Sequence, residues 1–152
     1  AIIYQIGYVS VLKPGFFNPL IRVQKQETKY ARSGLSAGES KRLIEQIKLF
    51  LETEKLFLKG DLRIQQVAEK MELSTHVISQ VINEQTGLSF LELINKYRVG
   101  EACRLLNNGA ADSLTLLGVA FEAGFNNKSS FNKFFKKYTG QTPTEYRLAK
   151  QG

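Results

Sequence analysis

Two sets of four polar residues in this chain share one spacing. His76, Ser79, Gln80 and Asn83 fall at i, i+3, i+4, i+7, and so do Ser129, Asn132, Lys133 and Lys136. On a helix each set forms a single stripe. The chemistry on offer is hydrogen bonding rather than bond making. A glutamine or asparagine amide presents a donor beside an acceptor, as Gln80 and Asn132 would to an adenine edge. An ammonium such as that of Lys133 suits guanine O6 and N7. The partner this implies is a groove of double-stranded DNA. The plainer reading is that both stripes are solvated faces of ordinary helices.

What must position the stripes is written on the other side of the same segments. Val77, Ile78, Val81 and Ile82 back the first stripe; Phe131, Phe134, Phe135 and Tyr138 back the second. The two segments belong to a repeat. "VAEKMELSTHVISQVINEQTG", Val67 to Gly87, and "VAFEAGFNNKSSFNKFFKKYTG", Val119 to Gly140, align with one additional residue in the middle of the second, after which the offset is a constant 53. Each copy reads as two short helices around a tight turn, which is a helix-turn-helix. In the first, a helix from about Ile64 to Glu72 is followed by Leu73-Ser74, with Ser74 as the cap of the next helix. In the second, Gly124 supplies the turn, and Asn126 or Asn127 caps the second helix. Between the copies, Ser89 to Asn107 carries Leu91, Ile94, Val99, Ala102, Leu105 and Leu106 at helical spacing, predicting one long helix. After the second copy, Thr142, Pro143 and Glu145 stand at N-cap, first and third positions of a final helix.

Upstream, Ser36 and Glu39 have capping-box spacing, and Leu43, Ile47, Phe50 and Leu51 give a further helix its apolar face. Residues 1–12, "AIIYQIGYVSVL", are apolar but too short to cross a bilayer as a helix. They lack the basic start and small-residue cleavage site of a signal peptide. Arg22, Lys25, Lys29 and Arg32 come next, so the segment resembles the cytoplasmic exit of a membrane span. A strap on the domain or a dimer contact reads as well. The chain begins at Ala1 and its one methionine is Met71, so it is expected to be a piece of a longer protein. The expected division is 1–35, an apolar start and basic linker; 36–60, an additional helix; and 61–152, the tandem unit. No strand pattern occurs from Ser36 onward.

The chain has 152 residues and a formal net charge of +7, with a sequence pI near 9.5. A surplus of that size attracts polyanions, either nucleic acid or an anionic membrane surface. One cysteine, Cys103, excludes an intrachain disulfide, and with one histidine, His76, there is no metal-ligand spacing. No nucleophile–base pair and no phosphate-cradling glycine loop supports an enzyme, and no cofactor is expected. Two readings remain: a sequence-specific DNA-binding regulator, and a membrane-proximal basic module for anionic lipid or a protein partner.

From about Asp61 to Lys150 the chain resembles the DNA-binding domain of the AraC/XylS family of bacterial transcription regulators. The residues that carry this are "VAEKMELSTHVISQVINEQTG", "FLELINKYRVGEACRLL" and above all "VAFEAGFNNKSSFNKFFKKYTGQTPTEYR", with Gly124-Phe125, Phe131, Phe134-Phe135-Lys136, Gly140, Pro143 and Tyr146-Arg147. The resemblance implies an all-α fold: two helix-turn-helix subdomains joined by a long linker helix, here preceded by an extra helix and an irregular basic N-terminal segment. It implies binding to one face of DNA in successive major grooves about one helical turn apart. Carried over by position, the base readers are His76, Ser79 and Gln80 in the first unit and Lys128, Ser129, Asn132 and Lys133 in the second. Thr75, Asn83, Asn127 and Lys136 are placed against phosphates, and Ser74, at the start of the first recognition helix, is counted with them. RNA polymerase, a second copy held through upstream regions, and a membrane tether before residue 1 complete the expected partners. The implied location is the cytoplasm, on its own or at the inner face of the membrane. Three departures stand out. Glu72 occupies the place of Gly124, Gly118 lies inside the first helix of the second copy, and His76 is small for a groove-probing side chain.

Overall fold

A computed structural model describes residues 34–109 and 113–151 of the chain. The apolar start and the basic residues up to Arg32 lie outside the described residues. Among those described, all regular structure is helical: α1 (Ala37–Thr53), a short 3-10 turn (Leu56–Leu58), α2 (Ile64–Met71), α3 (Thr75–Thr86), α4 (Phe90–Asn107), α5 (Leu116–Glu122), α6 (Lys128–Thr139) and α7 (Pro143–Gln151).

The starts of α1, α3 and α6 are where the polar signals put them, and α4 begins one residue after Ser89, which caps it. Ser36 and Glu39 close a reciprocal capping box on α1, and Ser89 and Glu92 close another on α4. The Ser74 hydroxyl accepts from the Val77 N–H at the head of α3. At the head of α6 the cap is Asn127, whose Oδ1 accepts from the Ser130 N–H at 2.8 Å. Each such cap satisfies backbone donors that the helix itself leaves over.

The apolar stripes sort into two cores. Leu43, Ile44, Ile47 and Leu51 of α1 pack with Leu56, Phe57, Val67, Ile78, Val81, Ile82, Leu93 and Ile94. Val99, Ala102 and Leu106 of α4 pack with Val119, Ala120, Phe125, Phe131, Phe134 and Phe135. The second core is a run of edge-to-face rings, Phe125–Phe131 at 5.3 Å, Phe131–Phe135 at 5.4 Å and Phe135–Tyr146 at 5.3 Å. Helix α4 serves both, giving its first turns to one core and its last to the other. Some expected core positions differ: Leu91 is 59% exposed, and Phe50, Val77, Leu105 and Tyr138 are only half-buried. Helix α1 joins the first core directly, its Ser40 buried between Glu84 and Gln85 of α3.

The two tight turns are the same object. After α2 the Leu73 N–H donates to the Ala68 carbonyl at 2.9 Å; after α5 the Phe125 N–H donates to the Ala120 carbonyl at 2.9 Å. This six-to-one closure needs a left-handed residue just before it. Gly124 provides it at φ 93°, and Glu72 takes it at φ 55°.

Candidate nucleic-acid interface

Helices α3 and α6 are the second helices of their motifs, and both leave their polar stripes outward. In α3, Ser74, Thr75, His76, Ser79 and Asn83 are exposed. Gln80 is half-buried: its amide nitrogen donates to Glu84 Oε1 at 2.6 Å, one helical turn on. The carboxylate therefore orients the amide of the residue expected to face adenine. Glu84 is in turn tied to α1 through the Ser40 hydroxyl at 3.3 Å. Glu84 gave no sign of this in the sequence, where it was one acid at the far end of a polar stripe.

In α6, Lys128, Ser129, Asn132, Lys133 and Lys136 are all exposed. The Lys133 ammonium lies 5.5 Å from the centre of the Phe134 ring, which rests the lysine against its own helix. Asn127 is committed by its Oδ1 to the cap, leaving its amide NH2 for any phosphate. Lys128, Asn132, Lys133 and Lys136 line an open groove of about 910 Å³ with Phe131 beneath, bounded by Thr115–Leu117 and by Thr142–Thr144 at the start of α7. The lysines favour an anion there, whereas the start of α7 is already closed by Glu145, whose carboxylate accepts from the Thr142 N–H at 2.8 Å.

The two helices differ in charge. Helix α6 holds Lys128, Lys133, Lys136 and Lys137 and no acid, whereas α3 holds one acid, Glu84, and no lysine or arginine. Electrostatic attraction to a polyanion is therefore concentrated in the second unit, and α3 offers neutral hydrogen bonding.

Helix α6 is pinned from behind. The Lys137 ammonium meets Glu92 Oε1 at 2.8 Å, and the Tyr138 hydroxyl donates to the Glu92 carbonyl at 3.1 Å. The Lys137 contact, with the Ser89 cap bonds, depresses the Glu92 carboxyl from 4.5 to about 2. A depressed carboxyl stabilises the fold fully above its unfolded value and stops doing so as pH falls through the folded one. The stability advantage of the wild type over Glu92→Gln should thus hold above pH 4.5 and vanish as pH approaches about 2. Urea midpoints of both proteins across that range check it. An advantage that does not change with pH would mean that Glu92 acts through packing alone.

Among the described residues no group of His, Cys, Asp and Glu could hold a metal ion, and no helix is long and apolar enough to cross a membrane. Cys103 is half-buried, and burial pushes its thiol up.

A family model described as a helix-turn-helix domain matches residues 67–149. Among curated proteins, the Msm operon regulatory protein of Streptococcus mutans is 27% identical over 112 residues, covering 74% of this chain and 38% of that protein. The transcriptional activator RhaR of Escherichia coli is 24% identical over 142 residues, covering 93% of this chain and 48% of that protein. The chain thus spans less than half the length of these relatives. Among solved structures, the C-terminal domain of AraT, a response regulator from Geobacillus stearothermophilus, is 30% identical. That match has a TM-score of 0.57 and covers 77% of this chain and 88% of that one. The DNA-binding domain of AdpA, solved with a target DNA, shares the fold at 22% identity and TM-score 0.58, covering 70% of this chain and 90% of that one.

Proposed function

Because this chain belongs to the AraC/XylS family of helix-turn-helix transcription regulators, we propose that its two polar stripes read one DNA site in two successive major grooves. The observation that carries this is the equivalence of α3 and α6. Each comes after the same six-to-one turn, each buries its apolar side in its own core, and each leaves donors and acceptors outward at the same four positions. His76, Ser79 and Gln80 read base edges from α3; Lys128, Ser129, Asn132 and Lys133 read them from α6. Thr75, Asn83, Asn127 and Lys136 hold phosphates, with Ser74 at the start of α3 beside them. The action is regulatory and not enzymatic. It takes place in the cytoplasm through contact with RNA polymerase, and activation is the sense that RhaR's name supports. A second copy engaged through regions beyond the tandem unit would raise affinity by linkage.

The experiment is a selection of this chain on random duplex DNA at physiological salt. Two short enriched motifs about one helical turn apart are expected. Recovery of no motif, with binding only at low salt, would sink the reading. On the selected site, Lys133→Ala should cost about 1–3 kcal/mol and relax preference at one base position. Lys136→Ala should weaken binding to all sequences alike and reduce the slope of log affinity against log salt by about 0.9. Anisotropy titrations at several salt concentrations separate the two effects.

A further inference from the structure

The second repeat is one residue longer than the first, and nothing in the motif itself needs that residue. From the left-handed position to the N-cap, the first copy runs Glu72, Leu73, Ser74 and the second runs Gly124, Phe125, Asn126, Asn127. The six-to-one hydrogen bond is identical in both. The additional residue is Asn126, and its side chain goes to the other unit: Nδ2 donates to the Gly60 carbonyl at 2.7 Å, across 66 residues of chain. Gly60 lies in the loop that leads into α2, and a Cβ there would collide with the Asn126 amide. The same loop offers the carbonyls of Phe57 and Lys59 to Arg98 of α4, each at 2.8 Å, and the guanidinium sits 5.8 Å from the centre of the Phe125 ring. Thus the turn of the second motif is seated on the entry loop of the first.

We propose that this junction, with Asn126 as its positioning residue, sets the separation and angle of the two recognition helices and so the spacing of the DNA half-sites the chain accepts. The proposal rests on the bipartite reading above. Asn126 immediately precedes the cap of α6, so holding it holds the start of that helix. The last turn of α6 is held independently through Lys137 and Tyr138 to Glu92. Moving one half-site by a base pair shifts it about 3.4 Å along the axis and turns it by about a tenth of a helical turn. A helix held at both ends cannot accommodate that displacement without breaking a contact or deforming the DNA.

The test measures affinity for the selected site and for versions with one base pair added or removed between the half-motifs. The wild type should lose about tenfold or more for each change, in the range of a mismatched base pair. Asn126→Ala, at an exposed position, should remain folded by circular dichroism, bind the natural spacing more weakly, and lose less than about threefold between spacings. Arg98→Lys, which keeps the charge but not the fork, should relax spacing in the same way. A merely structural loss would lower affinity by one factor at every spacing. The full wild-type penalty in either folded variant would overturn the proposal. A wild type that binds a single half-motif as tightly as the pair would instead overturn the bipartite reading.

Discussion

Gly124→Ala should lower the stability of this domain by roughly 2–5 kcal/mol, because two costs add at one position. The residue sits at φ 93°, where a side chain is strained in any surroundings. A Cβ there would also run into backbone: it would overlap the Phe57 carbonyl oxygen and stand 2.9 Å from the Leu58 Cα. Backbone atoms of a packed loop cannot swing aside as the end of a lysine can. The first repeat supplies the control. Glu72 holds the equivalent left-handed position at φ 55°, is exposed, and carries only the conformational cost. Glu72→Gly should therefore be neutral or raise stability by up to about 1 kcal/mol. Urea unfolding of both variants measures the difference. Equal and small effects at the two positions would mean that the second turn does not rest on residues 57 and 58.

Arg98→Ala should cost about 2–4 kcal/mol, since it strands the buried Phe57 carbonyl and the part-buried Lys59 carbonyl at once. Arg98 is 6% exposed, and its acceptors are Phe57 O, Lys59 O and Asn95 Oδ1. Burial lowers its pKa from the ordinary guanidinium value, but an arginine stays charged. Its planar fork reaches two carbonyls of one loop simultaneously; a lysine's point charge cannot, so Arg98→Lys should recover less than half of the loss. Thermal unfolding with a two-state fit reads both numbers. A change under about 0.5 kcal/mol, the range of ordinary surface substitutions, would show that water replaces the guanidinium without loss.

Most of the helices and both turns of this protein were legible from the sequence, because they are decided locally. The caps Ser36, Ser74 and Asn127 act on backbone donors within three residues. The stripes of α3 and α6 come from a period of 3.6, and hydrophobicity alone decides which side goes inward. The repeat then required that both motifs fold alike. The eight polar stripe residues follow from the same rule, as those left outside once the apolar stripe is buried, whereas Ser74, Thr75, Asn127 and Lys128 became candidates only through the family resemblance.

Tertiary structure decided the contacts between residues far apart in the chain. That α1 belongs to the first core, that Leu91 faces outward despite helical spacing, and that Arg98 is buried while four lysines of α6 are exposed depend on which surfaces meet. A polar residue on a helix announces donors and acceptors but not their partners. The sequence therefore offered Asn126 as a candidate cap and gave no role to Arg98 or Glu84; the entry loop, Gly60 and Gln80 had to be brought beside them. Periodicity specifies each recognition helix; only the packing of one unit on the other specifies how far apart two such helices stand.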